Sequence, residues 1–421
     1  MPTTSDSTTW LARQRKRAAR SIARRLREYG QVEPLGFALD DVPQSDVALY
    51  FADGPPKLYQ LTQWIPVFEA NAEMRTVVVV RQVDAYVALR GKTSLKVILV
   101  PRYENLMALL DRANFRAVVY VNNSWTNFQA LSFQRAVHIH VNHGESDKIC
   151  MVSNQAKAYD KVFVAGEAAV ERHKSALAWF DTSHLVRVGR PQLDLAVPPA
   201  LPPSSRRTIT YAPTWEGEDE ANNYSSVDCY GTAIAQACLS QDARVIYKPH
   251  PRIPESDDAA IRRGHRAITE LIESAQKSDP VAGHAVLVDA DMLGVIASSD
   301  ALVADVSSVT LDFLYLRPQA PILLTDRRSS RDELLAESPL AAATFIIDSS
   351  SVSNLIRDLP QVLGDDTFAT ARAAMRSHYF DNLAAGDSTE RFWRELRAAM
   401  DEHDAALRDL SRFRSGVWEG A

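Results

Sequence analysis

The chain has 421 residues, of which 46% are hydrophobic and 24% charged, with a formal net charge of −6. That length exceeds what one hydrophobic core usually holds, so two domains are expected, and the acidic balance excludes nucleic acid as the main partner, because nucleic-acid binders carry a basic excess. Cys150, Cys229 and Cys238 are too few and too irregularly spaced for a disulfide framework or a zinc site. No run reaches the roughly 20 apolar residues of a membrane span, and the N-terminus has no apolar signal core. A reducing cytoplasm is the expected compartment.

The first notable stretch is basic. Between Trp10 and Glu28, eight Lys or Arg residues surround a thin apolar stripe of Leu11, Ala18, Ile22 and Leu26. This pattern reads either as an amphipathic helix lying on the anionic inner face of a membrane or as a solvated tail.

From Asp46 onward, short runs rich in Val, Ile, Tyr and Phe alternate with helix-length polar segments. The predicted strands are 47–51, 76–80, 96–100, 117–121, 137–141 and 161–164. Runs apolar on both faces and separated by helices indicate a parallel sheet covered on both sides. At Val197–Pro203 the composition turns proline-rich and stiff, as in an interdomain connector. The rhythm then restarts, with strands predicted over 208–211, 244–247, 285–288, 301–304, 321–324 and 344–347. After Val352 the pattern is helical, with Phe392, Trp393, Leu396 and Met400 spaced for one buried face. The expected fold is α/β, two doubly wound Rossmann-like domains facing a cleft, with a C-terminal helical segment. The expected boundaries are a tail over 1–30, a first domain over 31–196, a linker over 197–207, a second domain over 208–375, and helices over 376–421 packing back on both.

In open parallel sheets ligands bind beyond the carboxyl ends of the strands, and four such ends carry polar clusters. His143-Gly144 follows the fifth strand, where a histidine can serve as a general base or simply as a packing or capping residue. His138 and His140, alternating along that strand, are assigned to packing. Tyr211-Ala-Pro-Thr-Trp215 follows the first strand of the second half, and Lys248-Pro-His-Pro-Arg252 the next, offering three basic groups on a backbone stiffened by prolines. The fourth cluster is Asp305-Val-Ser307-Ser308, where hydroxyls and free N–H groups at a helix N-terminus favour an anion. No Walker loop or dinucleotide fingerprint is present, and Asp289-Ala-Asp291 reads as a helix N-cap rather than a metal motif.

Taken in order, these clusters resemble the CDP-glycerol glycerophosphotransferases, the teichoic acid primases and polymerases. The resemblance rests on His143, Gly144 and Lys148; on Gly189, Pro191 and Asp194; on Tyr211 to Trp215; on His250-Pro251; on Asp305, Ser307, Ser308, Asp312 and Phe313; and on the Gly386–Arg391 run. It implies the glycosyltransferase-B architecture, with a CDP-alditol donor held by the second half. An acceptor hydroxyl then attacks the phosphorus bearing glycerol, or a related alditol such as ribitol, and CMP leaves. It further implies His143 as the base and His250 as a second catalytic group, which would meet developing charge if protonated. Lys248, His250, Ser307 and Ser308 become diphosphate ligands, with Thr214, Asp305 and Asp312 as further donor contacts. No cofactor is required, and metal dependence stays open. The implied acceptor is a polyol phosphate, glycan or lipid-linked hydroxyl of the cell envelope. Glu145, Asp147 and Glu216, acidic residues beside the motifs, are candidates to face donor hydroxyls. A nucleotide-sugar glycosyltransferase of the same build is the alternative, and a non-catalytic scaffold the third reading.

Overall fold

The computed structural model describes residues 44–148 and 151–418; the basic stretch 10–28 and Cys150 lie outside them. The first sheet has seven parallel strands: β1 (Val47–Phe51), β2 (Thr76–Val80), β3 (Lys96–Leu99), β4 (Ala117–Tyr120), β5 (Val137–His140), β6 (Lys161–Val164) and β7 (Leu185–Arg187), in the order β3-β2-β1-β4-β5-β6-β7. The second has six: β8 (Arg207–Ala212), β9 (Ala243–Tyr247), β10 (Ala285–Val286), β11 (Ala301–Ala304), β12 (Ile322–Thr325) and β13 (Phe345–Ile347), in the order β10-β9-β8-β11-β12-β13. Each order reverses once, between β1 and β4 and between β8 and β11, which is the doubly wound pattern.

The apolar runs explain these strands. Every residue of β1 and β2 is buried, and side chains alternate faces. Val47, Leu49 and Phe51 therefore join one core while Ala48 and Tyr50 join the other. Each such Val, Leu or Phe contributes about 1.5–3 kcal/mol of burial, enough to commit the run to a central strand. The twelve predicted strands all form, and β7 is an additional one. It is short, partly exposed and at the sheet edge, so it lacks the apolar run that marks the others.

Residues 195–206, which include the proline cluster, form neither helix nor strand and run along the second half, where Ala200 N donates to Gly294 O at 2.8 Å. The helix Asp387–Trp418 returns to the first half. Phe392, Trp393, Leu396 and Met400 lie in one core with Val47 and Phe51, the single buried face that their spacing predicts. Among the described residues no helix is long and apolar enough to cross a membrane.

Candidate active site

Both sheets present their carboxyl ends to the same region, and the two halves meet there. A Cβ placed on Gly144, after β5, would lie 3.4 Å from Cβ of Ser308, after β11. Asn142 makes this approach possible. Its φ of 52° is left-handed, a conformation asparagine tolerates better than most residues. Its carbonyl accepts from Trp64 Nε1 at 2.5 Å, and its Oδ1 accepts from His143 N at 2.8 Å. The chain is thereby turned so that the His143 ring meets Tyr59 edge-on, with centroids 5.7 Å apart. Nδ1 of His143 is buried without a partner. Burial, helped by the positive charges of Arg190 and Lys57, lowers its pKa to about 4, so the imidazole is neutral at physiological pH.

Across the gap, Ser307 caps the helix Ser308–Leu316 in extended conformation without using its side chain, and its Oγ is also buried and unpartnered. The first N–H groups of this nine-residue helix and a free hydroxyl thus face the His143 turn, an arrangement suited to an anion. Buried polar atoms are normally satisfied. Two orphans on opposing loops are what a site awaiting a ligand presents.

The basic loop after β9 differs from expectation in detail. His250 Nδ1 accepts from Arg252 N at 3.2 Å, which leaves the ring proton on Nε2. Burial and the charges of Lys148, Arg252 and Lys248 push its pKa down to about 3. His250 is therefore a neutral N–H donor here, so the condition of protonation is not met. Lys248 is buried, its Nζ donating to Val288 O at 2.7 Å, and burial lowers its pKa. Arg252 stacks over Trp215, 3.6 Å from its centroid.

Three expected donor contacts prove to be engaged within the protein. Asp305 is fully buried; it accepts from Thr214 N at 2.7 Å, Ser226 N at 3.3 Å and Thr325 Oγ1 at 2.6 Å, tying together the ends of β8, β11 and β12. Asp312 pairs with Arg190 at 3.1 Å, and burial raises its pKa to about 6 against the pull of that arginine. Thr214 Oγ1 accepts from Lys148 Nζ at 3.0 Å, a bond between the halves. Asp291 caps the following helix through Leu293 N and Gly294 N, as expected. Glu145 and Asp147 both accept from Arg172, at 2.5 and 2.6 Å, and Asp147 also accepts from Ser338 and Tyr379 of the second half. Glu216 accepts from the Ser256 hydroxyl and keeps one oxygen unpartnered.

His138 bonds Tyr120 and the Phe133 carbonyl, and His140 stacks on Tyr159, so both serve packing. Two further motif segments also meet each other. Asp194 accepts from Thr389 N at 2.7 Å, Gly386 N at 3.0 Å and Tyr315 Oη at 3.0 Å, which secures the start of the C-terminal helix. Arg190 and Arg172 are the functional-region residues that sequence reasoning overlooked. Arg190 sits inside the Gly189–Asp194 segment, so its position was visible although its partner was not.

A neutral histidine and a helix N-terminus thus face each other between two doubly wound halves, and the two-sheet build is that of glycosyltransferase-B-like folds. The family model of CDP-glycerol:poly(glycerophosphate) glycerophosphotransferases matches residues 51–396, and the chain belongs to that family of enzymes. Solved structures agree on the fold. An H-to-N variant of the wall teichoic acid polymerase TagF superposes with a TM-score of 0.54 at 13% identity, covering 95% of this chain and 99% of that one. A putative UDP-N-acetylglucosamine 2-epimerase from Listeria monocytogenes gives 0.55 at 14% identity, covering 85% and 97%. Anabaena Alr3699/HepE in complex with UDP and glucose gives 0.51 at 12%, covering 84% and 100%. No curated protein sequence matches the chain.

Proposed function

We propose that this chain moves glycerol phosphate, or a related alditol phosphate, from a CDP-activated donor to a hydroxyl of a cell-envelope glycan or lipid-linked acceptor, in synthesis of a teichoic-acid-like polymer. The observation that carries this reading is the pairing of two orphaned buried atoms, His143 Nδ1 and Ser307 Oγ, on loops that approach each other at Gly144 and Ser308.

The diphosphate lies against the start of the Ser308–Leu316 helix and the Ser307 and Ser308 hydroxyls, with His250 Nε2–H as a neutral donor. The acceptor oxygen forms a bond to the phosphorus bearing the alditol as the bond from that phosphorus to the bridging oxygen breaks. The acceptor proton passes to His143, and CMP leaves with the electron pair. Phosphoryl transfer requires mainly positioning and charge stabilisation, and these loops supply both. A base with a pKa near 4 is weak. The bound diphosphate offsets the fields of Arg190 and Lys57 and so restores basicity to His143 when the donor arrives.

Melting shifts with CDP-glycerol, CDP-ribitol, UDP-sugars and GDP-sugars test the donor class. A ligand at 100 times its Kd stabilises by about 2.7 kcal/mol. The proposal expects a shift with a CDP-alditol and none with nucleotide sugars. The reverse pattern identifies a glycosyltransferase, and no shift with any nucleotide indicates a scaffold. On this reading the protein works at the inner face of the membrane, with residues 10–28 as its contact.

A further inference from the structure

We propose that Trp125 and Phe128 form a stacking platform for a neutral sugar of the acceptor, at the carboxyl end of the sheet that also carries His143; this rests on reading that half as the acceptor side. Trp125 is 78% exposed and Phe128 39%, and their rings pack together with centroids 5.3 Å apart. Exposed paired aromatics of this kind mark interaction sites.

Their position is the first argument. They follow β4, which lies beside β1 in register from Val47↔Ala117 to Tyr50↔Tyr120, at the one place where the strand order reverses. Doubly wound sheets bind ligands in the crevice at that point. The wall continues to the proposed base: Asn122 Nδ2 donates to Gln60 Oε1 at 2.9 Å, Gln60 Nε2 to Tyr59 Oη at 3.4 Å, and the Tyr59 ring meets His143.

Rigidity is the second. Asn127 is fully buried and donates to Asn122 O at 2.7 Å and Tyr159 Oη at 3.0 Å, while Asn122 Nδ2 also donates to Asp53 at 2.9 Å. The aromatic pair therefore stands on a fixed frame, and binding costs little ordering.

Charge selects the occupant. Residues 117–134 contain no Asp, Glu, Lys or Arg, and the charged groups hydrogen-bonded to residues 122–129 are engaged within the protein, buried Arg81 with Gln129 Oε1, Tyr50 Oη and Val100 O, and Asp53 with Asn122 Nδ2 and Lys57. An anionic bilayer or a glycerol phosphate chain calls for cations at its contact, whereas a sugar offers C–H faces to aromatic rings and hydroxyls to amides and needs none.

The test uses the full chain in saturation-transfer NMR with neutral N-acetylhexosamine mono- and disaccharides and their octyl glycosides, with oligo(glycerol phosphate), and with phosphatidylcholine–phosphatidylglycerol vesicles. The proposal expects saccharide binding that weakens roughly ten-fold or more in Trp125→Ala/Phe128→Ala, as for other aromatic anchors. Trp179→Ala serves as the control, because that fully exposed ring lies on the connection entering β7 from the opposite sheet edge. The CDP-glycerol melting shift should be unchanged in both variants. Absence of saccharide binding, saccharide binding unaltered in the double variant, or loss of vesicle or oligo(glycerol phosphate) binding in its place overturns the platform. Saccharide binding that depends on Trp125 without any CDP-glycerol shift upholds the platform and overturns the donor reading.

Discussion

Gly144 and Ser308 belong to different sheets, yet a Cβ on the first would lie 3.4 Å from Cβ of the second. A single methyl fits that space at ordinary van der Waals distance, and a branched side chain does not. Gly144→Ala should keep activity within a few-fold, and Gly144→Val should lower kcat about 100-fold, the scale for a misplacement near 1 Å. Donor binding, measured by melting shift, should survive in both. Equal kcat values for the two variants would show that the halves need not approach at this point.

Asp194 secures the first turn of the C-terminal helix through bonds from Thr389 N and Gly386 N. Loss of a charged cap with several donors costs about 2–3 kcal/mol. Asp194→Ala should therefore lower the unfolding free energy by that amount, read as a lower urea midpoint at unchanged m-value. Gly189 is bound to the same contact, because a Cβ there would collide with Ser388. Gly189→Ala should destabilise as well, through the clash and through its φ of 74°.

Arg172 is, among the described residues, the one group that pairs with both Glu145 and Asp147, two carboxylates that are themselves buried. Removing one partner of such a cluster leaves buried charge without compensation and typically costs 3–5 kcal/mol. Arg172→Ala should fall in that range by thermal or chemical denaturation, and Glu145→Gln/Asp147→Asn in the same background should recover part of the loss. A neutral result would mean that water replaces the arginine at no cost.

Much of this architecture was legible in the chain itself. Central strands such as Thr76–Val80 declare themselves because burial on both faces demands an unbroken apolar run. Leu185–Arg187, an edge strand, makes no such demand and gave no signal. The four loops were found because polar clusters directly after apolar runs are conspicuous. What their side chains do there depends on partners far away in sequence. Asp312 is paired by Arg190, and Asp147 is shared between Arg172, Ser338 and Tyr379. No spacing rule brings such residues together, so the sequence does not show that these carboxylates bridge the halves. The protonation state of His250 is not legible in the sequence for a related reason: three nearby cations and burial act together only once the loops are folded.

The pH profile separates free enzyme from donor complex. A base acts only when unprotonated, so rate falls as pH drops through its pKa. In the free protein the pKa of His143 is lowered from 6.5 to about 4, and kcat/KM, which reports the free enzyme, should hold to near pH 4. The charge of bound donor favours imidazolium, and the acid limb of kcat should therefore lie at higher pH than that of kcat/KM. A kcat/KM limb at the ordinary histidine pKa would contradict the burial of this ring.

The central claim is that His143 takes the acceptor proton while the Ser307-Ser308 turn holds the donor. It is tested most directly by CMP release from CDP-glycerol with envelope glycan and lipid-linked acceptors, comparing the native chain with His143→Ala. The account predicts that the variant loses about 100-fold to 10,000-fold in kcat, the usual contribution of a positioned base, while its melting shift with CDP-glycerol is retained. A variant that turns over at the native rate, or that loses turnover only because it no longer binds CDP-glycerol, would contradict it.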